Sequence, residues 1–218
     1  MVNYPASRLN MVECQLRTNK VTDEAVLDAF LSVPRERFVP PHARGVAYVD
    51  EDIPLGRGRA LMEPMVLARL LQLAGVTKTD KALVIGCATG YAAALLAPMA
   101  AQVTAVESDT EFANQARVLL AELGCGGVGI VQGPLEAGWR GNAPYDVIVI
   151  DGGVAQVPPV VAEQLAEGGR LVTVMKPGDE VGQAVLMTRA EGVVSSRPVF
   201  DAAVTCLAGF ARAPSFVF

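Results

Sequence analysis

The sequence predicts an α/β fold: a doubly wound, mostly parallel sheet with antiparallel edge strands near the C-terminus and helices near the N-terminus. Three observations carry this. The stretch from Lys81 to Asp109, KALVIGCATGYAAALLAPMAAQVTAVESD, reads as strand, glycine turn, helix and strand, which is one βαβ unit. The run YDVIVI from Tyr145 to Ile150 is apolar almost throughout, as a parallel strand buried on both faces should be. After Gly182, the three short apolar runs QAVLMTRAEG, VVSSRPVF and AAVTCLAGF are separated by turns and suit antiparallel edge strands.

The elements follow in order. Leu9, Val12 and Leu16 recur at helical spacing, and a second helix starts from Thr22 or Asp23 as N-cap, with Val26, Leu27, Phe30 and Leu31 on one face. Pro34 ends it, and the prolines at 34, 40 and 41 make PRERFVPP an extended segment. Glu63 and Pro64 open the next helix as N-cap and first residue, with Val66, Leu67, Leu70, Leu71 and Leu73 buried. Ala82 to Ile85 is a strand and Tyr91 to Ala97 is rich in helix formers. Thr110 to Leu123 is helical, with Phe112, Ala116, Leu119, Leu120 and Leu123 inward and Gly124 as its stop. Val128 to Val131 is a strand, Pro158 to Ala166 a helix stopped by Gly168 and Gly169, and Arg170 to Met175 a further strand. The tail ARAPSFVF ends in apolar residues suited to packing on the core or on a partner.

A chain of 218 residues, 51% hydrophobic, is long enough for one well-buried core, so one domain is expected. The net charge of -5 and the absence of a basic run argue against a nucleic-acid surface. Cys14, Cys87, Cys125 and Cys206 form no C-x-x-C pair, and His42 is the only histidine, so neither a metal site nor a Ser-His-Asp triad is expected. Free thiols suit a reducing compartment. The start MVNYPASRLNMVE lacks the pattern of a signal peptide, and the apolar stretch from Tyr91 to Val106 is too short and too interrupted to span a bilayer. The expectation is a cytoplasmic protein that avoids membranes.

The chemistry centres on Gly86-Cys87-Ala88-Thr89-Gly90. Such a turn lets backbone approach a ligand closely, and the helix behind it presents unpaired N–H groups. Glu107 closes the second strand, where a carboxylate can accept hydrogen bonds from both hydroxyls of a ribose. The dinucleotide pattern G-x-G-x-x-G is not met, since Ala88 stands between the two glycines and no third glycine follows. The form G-x-A-T-G-Y followed by V-x-A-V-E resembles motif I of class I S-adenosylmethionine-dependent methyltransferases, whose fold is Rossmann-like with a seven-stranded sheet. The resemblance implies S-adenosylmethionine as cofactor, its methionine part over residues 86 to 90 and its ribose on Glu107.

A second resemblance is more specific. MVECQLRTNKVTDEAVLDAFLSVPRERFVPP, then AYVDEDIPLGRG, is similar to the N-terminal region of protein-L-isoaspartate O-methyltransferases, which reads M-V-x-x-Q-L, D-x-x-V-L-x-A, V-P-R-E-x-F-V-P, A-Y-x-D and P-I-G-x-G in that order. With motif I, the similarity runs from Met11 to about Val174, and Gly138-Trp139 and Ala143-Pro144-Tyr145-Asp146 match the family's G-W and A-P-x-D. It implies one domain over residues 1–218, with 1–75 on the acceptor side and 76–218 holding the cofactor, and a protein or peptide substrate methylated on isoaspartyl carboxylates.

Two departures stand out. Where the family reads Q-T-I-S-Q-P, with its hydroxyls at the acceptor carboxylate, this chain has Arg59-Ala60-Leu61-Met62-Glu63-Pro64. Where the family reads G-D-G beside the adenine, this chain has Gly133-Pro134-Leu135, and Pro134 offers neither a side-chain acceptor nor an N–H; Gln132 or Glu136 would have to substitute.

Methyl transfer to a carboxylate needs no general base, because the acceptor is already ionised, so the protein must supply positioning. Arg59 or Arg57 is therefore a candidate to bind an acidic acceptor in place of the lost hydroxyls; the alternative is that both face solvent. Asp151, at a strand end, either orients or deprotonates a hydroxyl or amine acceptor, or caps the turn through Gly152. Cys87 reads as small-residue packing in the turn. Besides isoaspartyl methylation, two functions stay open: methyl transfer to another acceptor, and a cofactor- or partner-binding relative without catalysis. The glycine spacing disfavours a nicotinamide-dependent oxidoreductase.

Overall fold

A computed structural model describes residues 2–178 and 180–210. The chain opens with α1 (Tyr4–Met11), capped by the Asn3 side chain, and widens into a π-helical turn over Val12–Leu16. In α2 (Glu24–Ser32), the Asp23 carboxylate accepts from the N–H groups of Ala25 and Val26, as an N-cap should. A short hairpin, β1 (Ile53–Gly56) and β2 (Arg59–Leu61), precedes α3 (Pro64–Ala74), which has Pro64 in its first turn and stops at the left-handed Gly75.

The remainder is the sheet and its crossovers: β3 (Lys81–Ile85), α4 (Tyr91–Leu96), β4 (Gln102–Glu107), α5 (Thr110–Glu122), β5 (Gly129–Gln132), β6 (Tyr145–Val154), α6 (Pro159–Ala162), β7 (Leu165–Met175), β8 (Gly182–Ala190) and β9 (Val193–Ala202). The sheet has seven strands in the order β5-β4-β3-β6-β7-β8-β9, parallel through β7 and antiparallel at β8 and β9. Side chains alternate between faces along each strand, giving two apolar layers. Ala82, Val84, Val147 and Val149 pack with residues of α2, α3 and α4, whereas Leu83, Ile85, Ile148 and Ile150 pack with Leu135, Val161, Leu207 and Phe210.

Three expectations change. PRERFVPP is not extended throughout: Arg35–Arg37 and Pro41–Val46 wind into 3₁₀ turns, because Arg35 is fully buried and the chain coils round it. The helix expected over 158–166 is only Pro159–Ala162, since Leu165 already pairs with Tyr145 in the sheet. The third C-terminal run makes no edge strand; residues 203–210 turn back across the sheet's carboxyl edge, touching it at one parallel bridge between Gly153 and Cys206. The tail ARAPSFVF lies outside the described residues.

Register sets the site. Ile85 pairs with Val106 on one side and Ile150 on the other, so the next residues, Gly86, Glu107 and Asp151, stand side by side at the carboxyl ends of three adjacent strands. The chain leaves β3 toward β4 on one side and returns as β6 on the other, which makes this the crevice where such sheets bind ligands.

Candidate active site

The turn from Gly86 to Gly90 is held open by backbone geometry. Gly86, Ala88 and Gly90 have φ of 82°, 45° and 97°, the left-handed region that favours glycine. Gly86 N–H donates to Val106 O at 2.9 Å, and Thr89 Oγ1 donates to Phe38 O at 2.7 Å, tying the turn to the N-terminal segment. Cys87 is buried, and burial pushes its thiol well above the ordinary range, so it packs rather than reacts.

Glu107 is wholly buried and held on every side. The backbone N–H groups of Ala88, Ser108 and Asp109 donate to its carboxylate at 2.7, 2.8 and 3.0 Å. Arg59, on β2, adds Nη1 at 2.7 and 2.9 Å from the two oxygens and donates from Nη2 to Gly86 O at 2.5 Å. The guanidinium thus lies on the carboxylate assigned to the ribose and on the carbonyl of the first turn glycine. Arg57, two residues earlier, points outward to Asp109 and Glu111.

Asp151 is held quite differently. Its Oδ1 is buried without a hydrogen-bond partner, and burial raises its pKa to about 7, with Arg59 the largest opposing influence. Arg35 donates to Ala47 O at 2.7 Å and Met62 O at 2.8 Å and lies 5.0 Å over the Tyr91 ring. Arg35 Nη1, Arg59 Nε and the Tyr91 hydroxyl are also buried without partners. A buried polar atom left unpaired is costly, and Arg35 and Tyr91 offset part of that cost by lying against one another. Glu63, half-buried, is raised to about 7 by desolvation and by Asp50 and Asp52.

Two spaces adjoin these residues. A cavity of only about 10 Å³ lies among Asp52, Arg59, Met62, Asp151 and Leu207. A cleft of about 1100 Å³ runs between the 37–41 segment and α5, with Thr89 and Ser108 in its wall.

On the adenine side, Gly133 N–H donates to Glu107 O at 3.1 Å, Pro134 is exposed and Leu135 is buried. Gln132 is engaged by Thr110 Oγ1 at 2.5 Å, and Glu136 is exposed. Trp139 is half-buried and His42 exposed. The sequence-derived residues therefore gather at one edge, with Arg59 on Glu107. Sequence reasoning assigned no role to Arg35 or Tyr91; an arginine set between Pro34 and Phe38 was the available signal for a buried cation.

The family described as protein-L-isoaspartate(D-aspartate) O-methyltransferase matches residues 7–205. A protein-L-isoaspartate O-methyltransferase of Koribacter versatilis is 38% identical, covering 92% of this chain and 90% of its own length. One from Methanoculleus marisnigri is also 38% identical, over 88% of this chain and 87% of that protein. A solved protein-L-isoaspartate O-methyltransferase superposes with a TM-score of 0.82 at 25% identity, over 94% of this chain and 67% of that one. A Plasmodium falciparum chain described as a beta-aspartate methyltransferase, in complex with S-adenosyl-L-homocysteine, shares the fold at 17% identity and TM-score 0.76, over 95% of this chain and 99% of that one. A turn, carboxylate and strand order of this kind occur in many enzymes, but the match over residues 7–205 and the relatives spanning both chains are specific: this chain belongs to the protein-L-isoaspartate(D-aspartate) O-methyltransferase family.

Proposed function

We propose that this chain is an S-adenosylmethionine-dependent carboxyl methyltransferase acting on isoaspartyl residues of damaged proteins. The observation that carries the reading is the row of Gly86, Glu107 and Asp151 at one sheet edge in a chain of this family. The chain works as one methyltransferase unit, residues 1–75 forming the acceptor side and 76–218 the cofactor side.

The residues fit the cofactor in kind. Glu107 is fixed by backbone donors, the turn has the left-handed backbone that lets a ligand approach, and an unpaired oxygen of Asp151 lines the small cavity beside it. Gly86 to Gly90 would hold the methionine part, Glu107 the ribose, and Gly133 to Leu135 the adenine. The bound group supplies an electrophilic methyl.

The chain's own residues supply position and dryness. An acceptor carboxylate is ionised at neutral pH and needs orientation rather than a base. Ala60 and Met62 cannot orient it through their side chains. Asp151, neutral below about pH 7, carries a proton it can donate to such an oxygen. The 1100 Å³ cleft beside Thr89 and Ser108 offers room for a peptide. Arg59 on Glu107 favours a second reading, a relative that keeps the fold without turnover.

The test is methyl transfer from labelled S-adenosylmethionine to an isoaspartyl peptide, with the normal aspartyl peptide as control. Label in the isoaspartyl peptide alone supports the proposal. Equal label in both peptides moves the activity to another acceptor, and no label in either favours the second reading.

A further inference from the structure

Two of the three cofactor subsites are filled by this chain's own residues, and the third is bordered by them. At the ribose position, Arg59 Nη1 lies 2.7 and 2.9 Å from the two Glu107 oxygens. At the methionine position, a Cβ placed on Gly86 would lie 2.9 Å from Leu207 Cδ1 and 3.1 Å from Arg59 Nη2. Leu207 also covers β6 just past Asp151, where a Cβ on Gly152 would meet its Cγ at 2.7 Å. At the adenine position, Leu207 and Phe210 are buried in the same apolar cluster as Leu135, and a Cβ on Gly209 would sit 2.8 Å from Glu136 Oε2. The segment is pinned by Leu207 N–H donating to Gly153 O at 2.8 Å and Gly153 N–H to Thr205 O at 2.9 Å.

Leu207 and Phe210 lie beyond the matched span of 7–205. About 10 Å³ is left between Arg59, Asp151 and Leu207, far below what a nucleoside occupies.

We infer that Arg59 and the 203–210 segment form an intramolecular plug that competes with the cofactor, so that binding requires Arg59 to leave Glu107 and Leu207 to lift from Gly86. The inference rests on the cofactor reading above. A ligand that binds only the open state has its affinity reduced by the fraction of chains that are open. Closing removes two charges from water, which their mutual contact offsets; opening leaves Glu107 with its three backbone donors and returns Arg59 to water. The plug thus sets cofactor affinity through Arg59 and Leu207.

The experiment is a calorimetric titration of S-adenosylhomocysteine into the wild-type chain, Arg59→Gln and Leu207→Ala, each first shown to be folded by circular dichroism. Hydrogen exchange at Leu207 is followed in parallel. Arg59→Gln should bind at least about tenfold tighter than wild type, and Leu207→Ala tighter by a smaller factor. Saturating ligand should speed exchange of the wild-type Leu207 amide, the reverse of ordinary ligand protection. If Arg59→Gln fails to fold, Leu207→Ala and the exchange readout decide alone. Equal affinities with an unchanged or slowed Leu207 amide would overturn the plug and leave the cofactor reading standing. Absence of binding by all three chains would overturn both.

Discussion

The strands flanking β3 each carry a carboxylate beside its end, and the two are kept in opposite ways. Glu107, after β4, receives three backbone N–H groups and a guanidinium. Asp151, in β6, keeps one oxygen buried and unpartnered and titrates near 7. Equal register therefore does not mean equal chemistry. The β4 end turns its backbone donors inward because Ser108 and Asp109 curl into the N-terminus of α5, where Asp109 is the N-cap. The β6 end continues as strand through Asp151 to Val154, so its neighbouring N–H groups go to the sheet and to the 203–210 segment. One carboxylate is a fixed anion for a ligand to find, and the other is a group whose proton depends on pH.

The largest effect should come from breaking the satisfied side. Glu107→Ala leaves the Arg59 guanidinium, 8% exposed, without its counter-charge, and removal of one partner from a buried pair typically costs about 3–5 kcal/mol. Urea unfolding monitored at Trp139 would read this. A loss below about 1 kcal/mol would show that Arg59 finds solvent easily and that the pair is not truly buried.

The unsatisfied side sharpens the contrast through pH. The folded-state pKa of Asp151, about 7, lies above the ordinary aspartate value of 3.8, so the folded chain binds the proton more tightly than the unfolded one. That contribution is fully present below about pH 4 and is lost as pH rises to 7, with a slope of up to about 1.4 kcal/mol per pH unit. Glu63, also raised to about 7, acts over the same window but is half-exposed to water and contributes less. Asp151→Asn should therefore flatten most of the fall in Tm between pH 4 and 7, and Glu63→Gln a smaller part. A Tm profile for Asp151→Asn that superposes on wild type would show that Asp151 is hydrated in solution.

Much of this was legible in the sequence, and the part that was not has a physical reason. The βαβ unit, the glycine turn, Glu107 and the N-caps at Asp23 and Glu63 follow from short-range rules acting within a few residues, and each stands where those rules put it. The same holds for the buried face of α3 and for YDVIVI. Residues 203–210 failed because an apolar alternating run reads alike whether it joins an edge or folds across the sheet's end; the space over Gly86 and Gly152 decides, and that space is made by other strands. Arg35 and Arg59 were opaque for the same reason. Arginine is normally at the surface, and its burial is fixed by partners at Ala47, Met62 and Glu107 that lie 12, 27 and 48 residues away in the chain. Asp151 was visible as a strand-end acid, but its protonation depends on how much water the fold removes.

The smallest effect separates two arginines of one hairpin. Arg57 and Arg59 flank Gly58, and both pair with acids around the start of α5, yet Arg57 has a side chain 59% exposed and Arg59 has one 8% exposed. Exposed pairs gain little, because water solvates both partners and salt screens what attraction remains. Arg57→Gln should hardly move the urea midpoint in dilute buffer and not at all in 1 M salt, where the screening length falls to about 3 Å. The Glu107→Ala loss should persist in that salt, since ions do not enter the buried pair. If Arg57→Gln proved as damaging as Glu107→Ala, and its cost were salt-insensitive, the hairpin would owe its position to its exposed tip. The division between a solvated arginine that decorates β1–β2 and a buried one that anchors it would then fail.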